Sequence, residues 1–329
     1  MRMIYLCSNP ATVDYVYGRN VKDELLCAER VYSKEEAICS KAELADTEYI
    51  FSTWGMPEFS AEEIREVFPA LKCVFYAAGT VQEFARPFLE CGVKVFSAWA
   101  ANAVPVAEYT LAQILLASKG FFPEAARQSR GDLEGAQKLK SCYPGNFGIR
   151  VGIIGAGMIG RKVIELLKPF NIFVMVFDPF LSDSRAAELG VEKVSLEKLF
   201  SECEIISNHL ANNAQTEGML NYGLFSRMKP YSTFINTGRG AQVVEKDLAR
   251  VLKEREDIYA LLDVTWPEPP EPGHAFYSLE NCILTPHIAG SLGNEVHRMA
   301  EYMLEEYKRF ENGEPCLYEV TEDMLATMA

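Results

Sequence analysis

The chain has 329 residues, 49% hydrophobic and 24% charged, an ordinary globular composition that argues against disorder and against a fibre. That length fits two domains and can bury a core large enough to fold without disulfide staples. A formal net charge of −14 sets the surface against phosphate backbones, so no nucleic-acid partner is expected, although a pocket can still be locally positive.

The first ten residues, MRMIYLCSNP, are too short and too soon broken by Pro10 to read as a signal peptide. No apolar run reaches the ~20 residues of a membrane span, so no membrane association is expected. Nine scattered cysteines without CxxC spacing read as reduced thiols, and a cytoplasmic location is expected. No metal is expected, since the four histidines include no pair at helical spacing.

Apolar runs at Met3–Cys7, Tyr49–Phe51, Cys73–Tyr76 and Val93–Phe96 have strand length and composition. Charged, helix-permissive stretches such as Ala61–Val67 lie between them. A long helix is predicted over Asn102–Lys119, with Pro105 near its start and Gly120 just past its end. The polar, glycine-containing stretch 121–148 reads as a connector. A second alternating series follows. Its strands are Arg150–Ile154, Ile172–Phe177, Glu204–Asn208, Thr233–Asn236, Tyr259–Leu262 and Cys282–Leu284. Near-continuous apolar strands alternating with helices predict an α/β fold with parallel sheets covered on both faces. A closing helix is predicted from Asn294 to Phe310, stopped by Asn312-Gly313.

The sharpest local signal is GIIGAGMIG over 152–160. Gly155, Gly157 and Gly160 fit the dinucleotide loop, after a strand and opening a helix. Gly155 would make the tight turn, Gly157 would let the backbone approach a pyrophosphate, and Gly160 would let helix pack on strand. The first helical N–H groups, at Met158 and Ile159, would meet the diphosphate. The next strand ends at Asp178, eighteen residues past the last glycine. A carboxylate there bonds the adenosine ribose and repels a 2′-phosphate, so the expected cofactor is NAD.

Three polar clusters follow predicted strands: Asn236-Thr-Gly-Arg239-Gly240, Asp263-Val-Thr-Trp-Pro-Glu268, and Thr285-Pro-His287. Ligands of open α/β sheets bind outside the carboxyl ends of strands. Arg239 can fork onto a carboxylate and polarise the adjacent carbonyl. His287 can give a proton as hydride arrives, and Glu268 can orient the imidazole. Each alone also has an ordinary reading, as a turn arginine, a satisfied histidine and a solvated loop acid. Their order after a dinucleotide loop favours chemistry.

These residues bring the sequence to a family. It resembles the D-isomer-specific 2-hydroxyacid dehydrogenases through GIIGAGMIG with Asp178, Leu166-Leu-Lys-Pro-Phe170, His209-Leu-Ala-Asn-Asn-Ala-Gln-Thr216, Met228-Lys-Pro230, Asn236-Thr-Gly-Arg-Gly240, Leu262-Asp-Val264 with Pro267-Glu-Pro269, and Thr285-Pro-His-Ile-Ala-Gly290. The match runs from about Asn102 to Gly290; the first hundred residues match weakly. The resemblance implies two Rossmann-like domains, the cofactor domain inserted into the substrate domain. It places the substrate domain at 1–101 plus 289–329 and the NAD-binding domain at 102–288. It makes Arg239, Glu268 and His287 the catalytic trio, and adds His209, Thr216, Thr237 and Asp263 to the cofactor set. It also implies a homodimer through the long helix and the 121–148 stretch. The activity implied is exchange of a small D-2-hydroxy acid and its 2-oxo acid.

The chain departs from that family in three places. The usual G-x-G-V-D-N substrate loop is Ala77-Ala78-Gly79-Thr80-Val81-Gln82, Ala211 replaces a common proline, and Trp99 stands where proline is frequent. Backbone N–H groups of Ala78 and Gly79 can still receive a carboxylate, and Trp54 can wall the pocket or serve a core or interface. A non-enzymatic NAD(H)-sensing protein of the corepressor type is the alternative from another class. A relative acting on phosphorylated or sugar acids is the alternative within the family.

Overall fold

The computed structural model describes residues 2–25 and 30–325. The chain forms two compact α/β units, one of Met1–Asn102 with Ser291–Ala329, the other of Ala103–Gly290. The helix Trp99–Ala117 carries the chain out of the first unit into the second.

The first unit holds a six-stranded sheet in the order Glu319–Val320, Lys94–Ser97, Cys73–Tyr76, Thr47–Ser52, Arg2–Leu6, Val31–Tyr32. All pairings are parallel except that of Glu319–Val320, which lies antiparallel at the edge. Alternation sends Ile4, Leu6, Ile50, Val74 and Val95 to one core. Tyr5, Phe51, Phe75 and Phe96 go to another, under the helices Pro10–Leu25 and Val296–Glu311. Phe75 stacks on Phe51 and on Phe96 with centroids 5.0 and 4.9 Å apart. Burial on both faces explains why these strands read as continuous apolar runs.

The second unit holds a seven-stranded parallel sheet. Its order is Cys282–Leu284, Tyr259–Leu262, Thr233–Asn236, Ile205–Asn208, Arg150–Ile154, Phe173–Phe177, Glu192–Lys193. The first strand of this unit, Arg150–Ile154, is therefore an interior strand, and the chain order reverses beside it. That reversal is where doubly wound sheets bind ligands.

The structure differs from the sequence expectation most visibly in its helices. The stretch 121–148 is no bare connector: it carries helices Phe121–Ser129 and Leu133–Leu139, the second capped by Asp132. Their few buried residues, Pro123 and Ala136, left a polar pattern without an apolar stripe. The long helix begins at Trp99, so buried Pro105 lies inside it; burial of the surrounding apolar residues offsets the backbone bond that proline removes. The helix Pro10–Leu25 was not legible because Gly18, at φ +57°, interrupts it. No helix among the described residues is long and apolar enough to cross a membrane.

Candidate active site

The glycine loop follows the interior strand Arg150–Ile154. Gly155 has φ +91°, and a Cβ there would lie 2.6 Å from the His209 carbonyl oxygen. A Cβ on Gly160 would lie 2.0 Å from the Gly155 carbonyl oxygen, so only glycine lets the helix sit on the turn. Gly157 has open space where a Cβ would project, and it caps the helix Met158–Leu167 with no side-chain bond. The N–H groups at Met158 and Ile159 thus start a helix whose positive end faces no cap. Asp178 ends the neighbouring strand; its Oδ2 accepts from Ala156 N–H and its Oδ1 from Phe180 N–H, both at 2.7 Å. This ties the acid to the loop, and it lines a cavity with Arg161, Phe180, Leu181, Ser182 and Arg185. An uncapped open cradle beside a fixed carboxylate fits a dinucleotide.

His209 is 8% exposed. Its Nε2 lies 2.9 Å from the Ser207 hydroxyl, while its Nδ1 is buried without a partner among the described residues. Burial pushes its pKa down to about 3, so the ring is neutral. Thr237 is buried with its hydroxyl 3.3 Å from that of Thr110. Thr216 uses its hydroxyl within its own loop, donating toward the Ala211 and Asn213 carbonyls and accepting from Asn213 N–H.

The charged clusters occupy the ends of the strands on the other side of the reversal. His287 Nδ1 lies 2.6 Å from Glu268 Oε1, and its Nε2 makes no hydrogen bond among the described residues. The ring is 48% exposed. His287 sits at φ +54°, a left-handed conformation that a non-glycine residue adopts only when its surroundings impose it. Asp263 imposes it. This carboxylate is 2% exposed; its Oδ1 accepts from the Thr285 hydroxyl at 2.6 Å and Ile288 N–H at 2.8 Å, its Oδ2 from Ala289 N–H at 2.9 Å. The Asp263 carbonyl takes the His287 N–H itself, at 3.1 Å.

Arg239 is half-buried. Its Nη1 donates to the Gly238 carbonyl at 2.8 Å, and among the described residues it forms no ion pair. Burial pulls its basicity below the ordinary guanidinium range, and the Glu268 charge partly restores it. A desolvated cation without a counter-ion is a receptor for an anion. A Cβ on Gly240 would lie 2.0 Å from the Thr265 backbone, so the Arg239 turn lies directly on the loop that carries Glu268. Glu245 secures that loop: its Oε1 accepts Trp266 N–H at 2.8 Å, and its Oε2 lies 3.2 Å from His274 Nε2. Sequence reasoning missed Glu245, His274 and the loop-holding work of Asp263. An acid opening a helix and an acid ending a strand are common features that carry no signal of what they hold.

The remaining candidates lie in the first unit. Trp54 follows the strand Thr47–Ser52 and is 40% exposed, which removes the core reading. Ala78 is fully buried and Gly79 partly open. Among the described residues the Gly79 N–H has no partner, and the Ala78 and Gly79 carbonyls are held by the Ser97 hydroxyl. Asn102, not singled out from sequence, has its Oδ1 fixed by Ser291 N–H at 2.9 Å. Its Nδ2 lies 3.9 Å from where a Gly79 Cβ would stand and donates to no described residue.

A family model described as D-isomer specific 2-hydroxyacid dehydrogenase, NAD binding domain, matches residues 111–289. The chain is 32% identical over 201 residues to a D-3-phosphoglycerate dehydrogenase of Archaeoglobus fulgidus, covering 61% of this chain and 37% of that protein. It is 36% identical over 168 residues to a glyoxylate reductase of Korarchaeum cryptofilum, covering 51% of each. The chain thus spans between about a third and a half of the length of these relatives. A solved phosphoglycerate oxidoreductase of Rhizobium etli superposes with TM-score 0.82 at 23% identity, covering 98% of this chain and 99% of that one.

Proposed function

This chain belongs to the D-isomer-specific 2-hydroxyacid dehydrogenase family, with an NAD-binding domain in its second unit, and on that premise we propose that it interconverts a small D-2-hydroxy acid and its 2-oxo acid. The observation that carries the reading is the His287–Glu268 contact at 2.6 Å next to an unpaired, half-buried Arg239. Bound NADH supplies the hydride; Gly155, Gly157, Met158, Ile159, Gly160 and Asp178 would hold it. His209, Thr237 and Asp263 flank that site, and the bonds Thr216 makes keep the His209 loop in shape.

In the reductive direction His287 donates from Nδ1 to Glu268 and holds its transferable proton on Nε2. As the carbonyl oxygen gains charge, that proton moves to it, and Glu268 stabilises the ring before transfer. Arg239 binds the carboxylate and polarises the carbonyl through its planar fork. Within the first unit, Ala78, Gly79 and Trp54 follow strand ends, the positions where a parallel sheet offers ligand contacts. Oxidation runs the same proton back to neutral His287. Exposed Leu116, Phe121 and Leu133 support a homodimer, checked by light scattering.

The test is NADH oxidation by the purified chain with a panel of 2-oxo acids. Turnover that depends on His287 supports the reading. NADH binding without turnover of any acid would favour the binding-only protein.

A further inference from the structure

Resting on the oxo-acid reading above, we infer that Tyr109 is a positioning residue for the proton donor, acting on His287 through the Thr285 hydroxyl and the Asp263 carboxylate. All four residues belong to the unit Ala103–Gly290. Tyr109 lies on the helix Trp99–Ala117, with its phenol oxygen 3.3 Å from Thr285 Oγ1. The next residue, Thr110, brings its hydroxyl within 3.3 Å of the Thr237 hydroxyl. Thr237 stands two residues ahead of Arg239, and Thr285 two residues ahead of His287. One edge of this helix therefore touches the strand-end loops of both reactive side chains.

Two hydroxyls can hydrogen-bond in either sense, and here the carboxylate decides. Thr285 has one proton and gives it to Asp263 Oδ1 at 2.6 Å, because an ionised carboxylate only accepts. The Thr285 oxygen is left to accept, and Tyr109 donates to it. Burial raises the pKa of the phenol above its ordinary value, so that proton stays on Tyr109. Gln113, one turn along the same helix, also bonds the phenol.

Asp263 passes this order to the backbone of the proton donor. Its carboxylate accepts Ile288 N–H and Ala289 N–H, and its carbonyl accepts His287 N–H. His287 depends on that support, since it is held at φ +54°. The carboxylate is 2% exposed, so its hydrogen bonds, the Thr285 bond among them, replace the water it has lost. A hydroxyl that accepts from a phenol gives its own proton more strongly. Tyr109 thereby tightens the bond that fixes Asp263, and with it the 2.6 Å contact of His287 Nδ1 with Glu268. At 3.3 Å the Tyr109 contact is long for two hydroxyls, which sets its weight at the low end for one hydrogen bond.

The experiment is a double-mutant cycle between Tyr109→Phe and Thr285→Val, read as kcat and KM with saturating NADH and the best 2-oxo acid. Tyr109→Phe keeps the ring and lowers kcat about two- to fivefold, the loss of one weak neutral hydrogen bond. KM stays nearly unchanged, because Arg239 is not part of the relay. Thr285→Val lowers kcat at least about tenfold, the loss of a charge-assisted bond, and adding Tyr109→Phe to it costs nothing further. Thr285→Ser keeps the hydroxyl, recovers most of kcat and stays sensitive to Tyr109→Phe. A second readout needs no turnover. The chain has four histidines, and the Cε1–H resonance of His287 in isotope-labelled protein is identified by its loss in His287→Asn. Tyr109→Phe shifts that resonance in the wild-type background and not in Thr285→Val, while Thr110→Val leaves it in place. A Tyr109→Phe loss that is equal in both backgrounds or carried in KM, a His287 signal indifferent to Tyr109, or one that Thr110→Val moves as much, overturns the inference. If no acid is reduced at all, the oxidoreductase reading falls instead, and the His287 signal still decides the relay.

Discussion

The two sheets end in rims of opposite character. Both are parallel over most of their strands, so both present loops at the carboxyl ends. The second unit fills its rim with Arg239, Asp263, Glu268 and His287, while the first presents Cys7, Trp54, Gly79 and other uncharged residues. Proton movement and carbonyl polarisation need charge held in a fixed geometry, and the second unit supplies it. The uncharged rim of the first unit instead presents an exposed indole at Trp54 and a Gly79 N–H without a partner among the described residues. One sheet architecture therefore carries rims of opposite charge character through its loop residues alone.

The sharpest way to break that division is to remove the proton donor. His287→Ala should lower kcat by roughly 10²–10⁴-fold, the usual contribution of general acid catalysis. NADH fluorescence titration should give near wild-type binding, since the ring is not part of the glycine cradle. Activity surviving in His287→Ala would move the proton transfer elsewhere.

Arg239→Lys comes next. An ammonium keeps the charge but cannot replace two forked bonds, and losing one charge-assisted bond costs about 1.5–3 kcal/mol, or roughly 10–150-fold in kcat/KM. Steady-state kinetics with the best 2-oxo acid check it, and near-normal values would make Arg239 a turn residue. Asp178→Ser falls in the same energy range but on a different observable. It should weaken NADH binding and narrow its advantage over NADPH, read by comparing dissociation constants of the two. Equal binding of both by the wild type would remove Asp178 as the selector.

The charged rim was the legible one. Arg239, Glu268 and His287 announce themselves because each is a reactive type placed just after an apolar run. The strands Cys73–Tyr76, Arg150–Ile154, Thr233–Asn236, Tyr259–Leu262 and Cys282–Leu284 coincide with the expected bounds, since burial on both faces leaves an unbroken apolar signal. What escaped was short or paired late. Val31–Tyr32, Glu192–Lys193 and Glu319–Val320 are too brief for periodicity, and the last joins its sheet only through the distant partners Val95 and Phe96. Backbone donors such as Gly79 N–H have no side chain to read. Asn102 depends on Ser291, 189 positions away, which no local pattern reveals. Cys27 lies outside the described residues.

A stability measurement probes the cofactor side of the charged unit. His209 stays neutral in the folded protein down to about 3, against an ordinary value of 6.5. Its folded value is depressed, so below pH 6.5 the unfolded chain takes up a proton that the folded chain refuses. The stabilisation is intact above that pH and is lost as pH falls toward 3, reaching about 2 kcal/mol by pH 5. His209→Gln should therefore show a shallower fall of stability between pH 7 and pH 5 than wild type, read by urea unfolding at each pH. The comparison uses slopes, so a constant cost of the substitution cancels. Equal slopes would mean that the buried ring is protonated in the native state.

The smallest expected effect concerns how the Glu268 loop is held. Glu245 accepts the Trp266 N–H at 2.8 Å, two residues before Glu268. Burial pushes the Glu245 carboxyl above the usual range, and the Trp266 bond works against this. Removing the acceptor frees a backbone donor, but Trp266 is 67% exposed, so water can take the vacated position. The cost then falls at the low end for a lost hydrogen bond, about 1 kcal/mol or fivefold. Glu245→Ala should lower kcat by that factor with KM nearly unchanged, because the loop sets the Glu268–His287 alignment and not the carboxylate receptor. Glu245→Gln keeps an amide oxygen for Trp266 and should recover most of kcat. Loss in both variants alike would assign the effect to the charge facing His274. Loss carried wholly in KM would show that the loop shapes binding through the neighbouring Arg239 turn instead of the Glu268–His287 alignment.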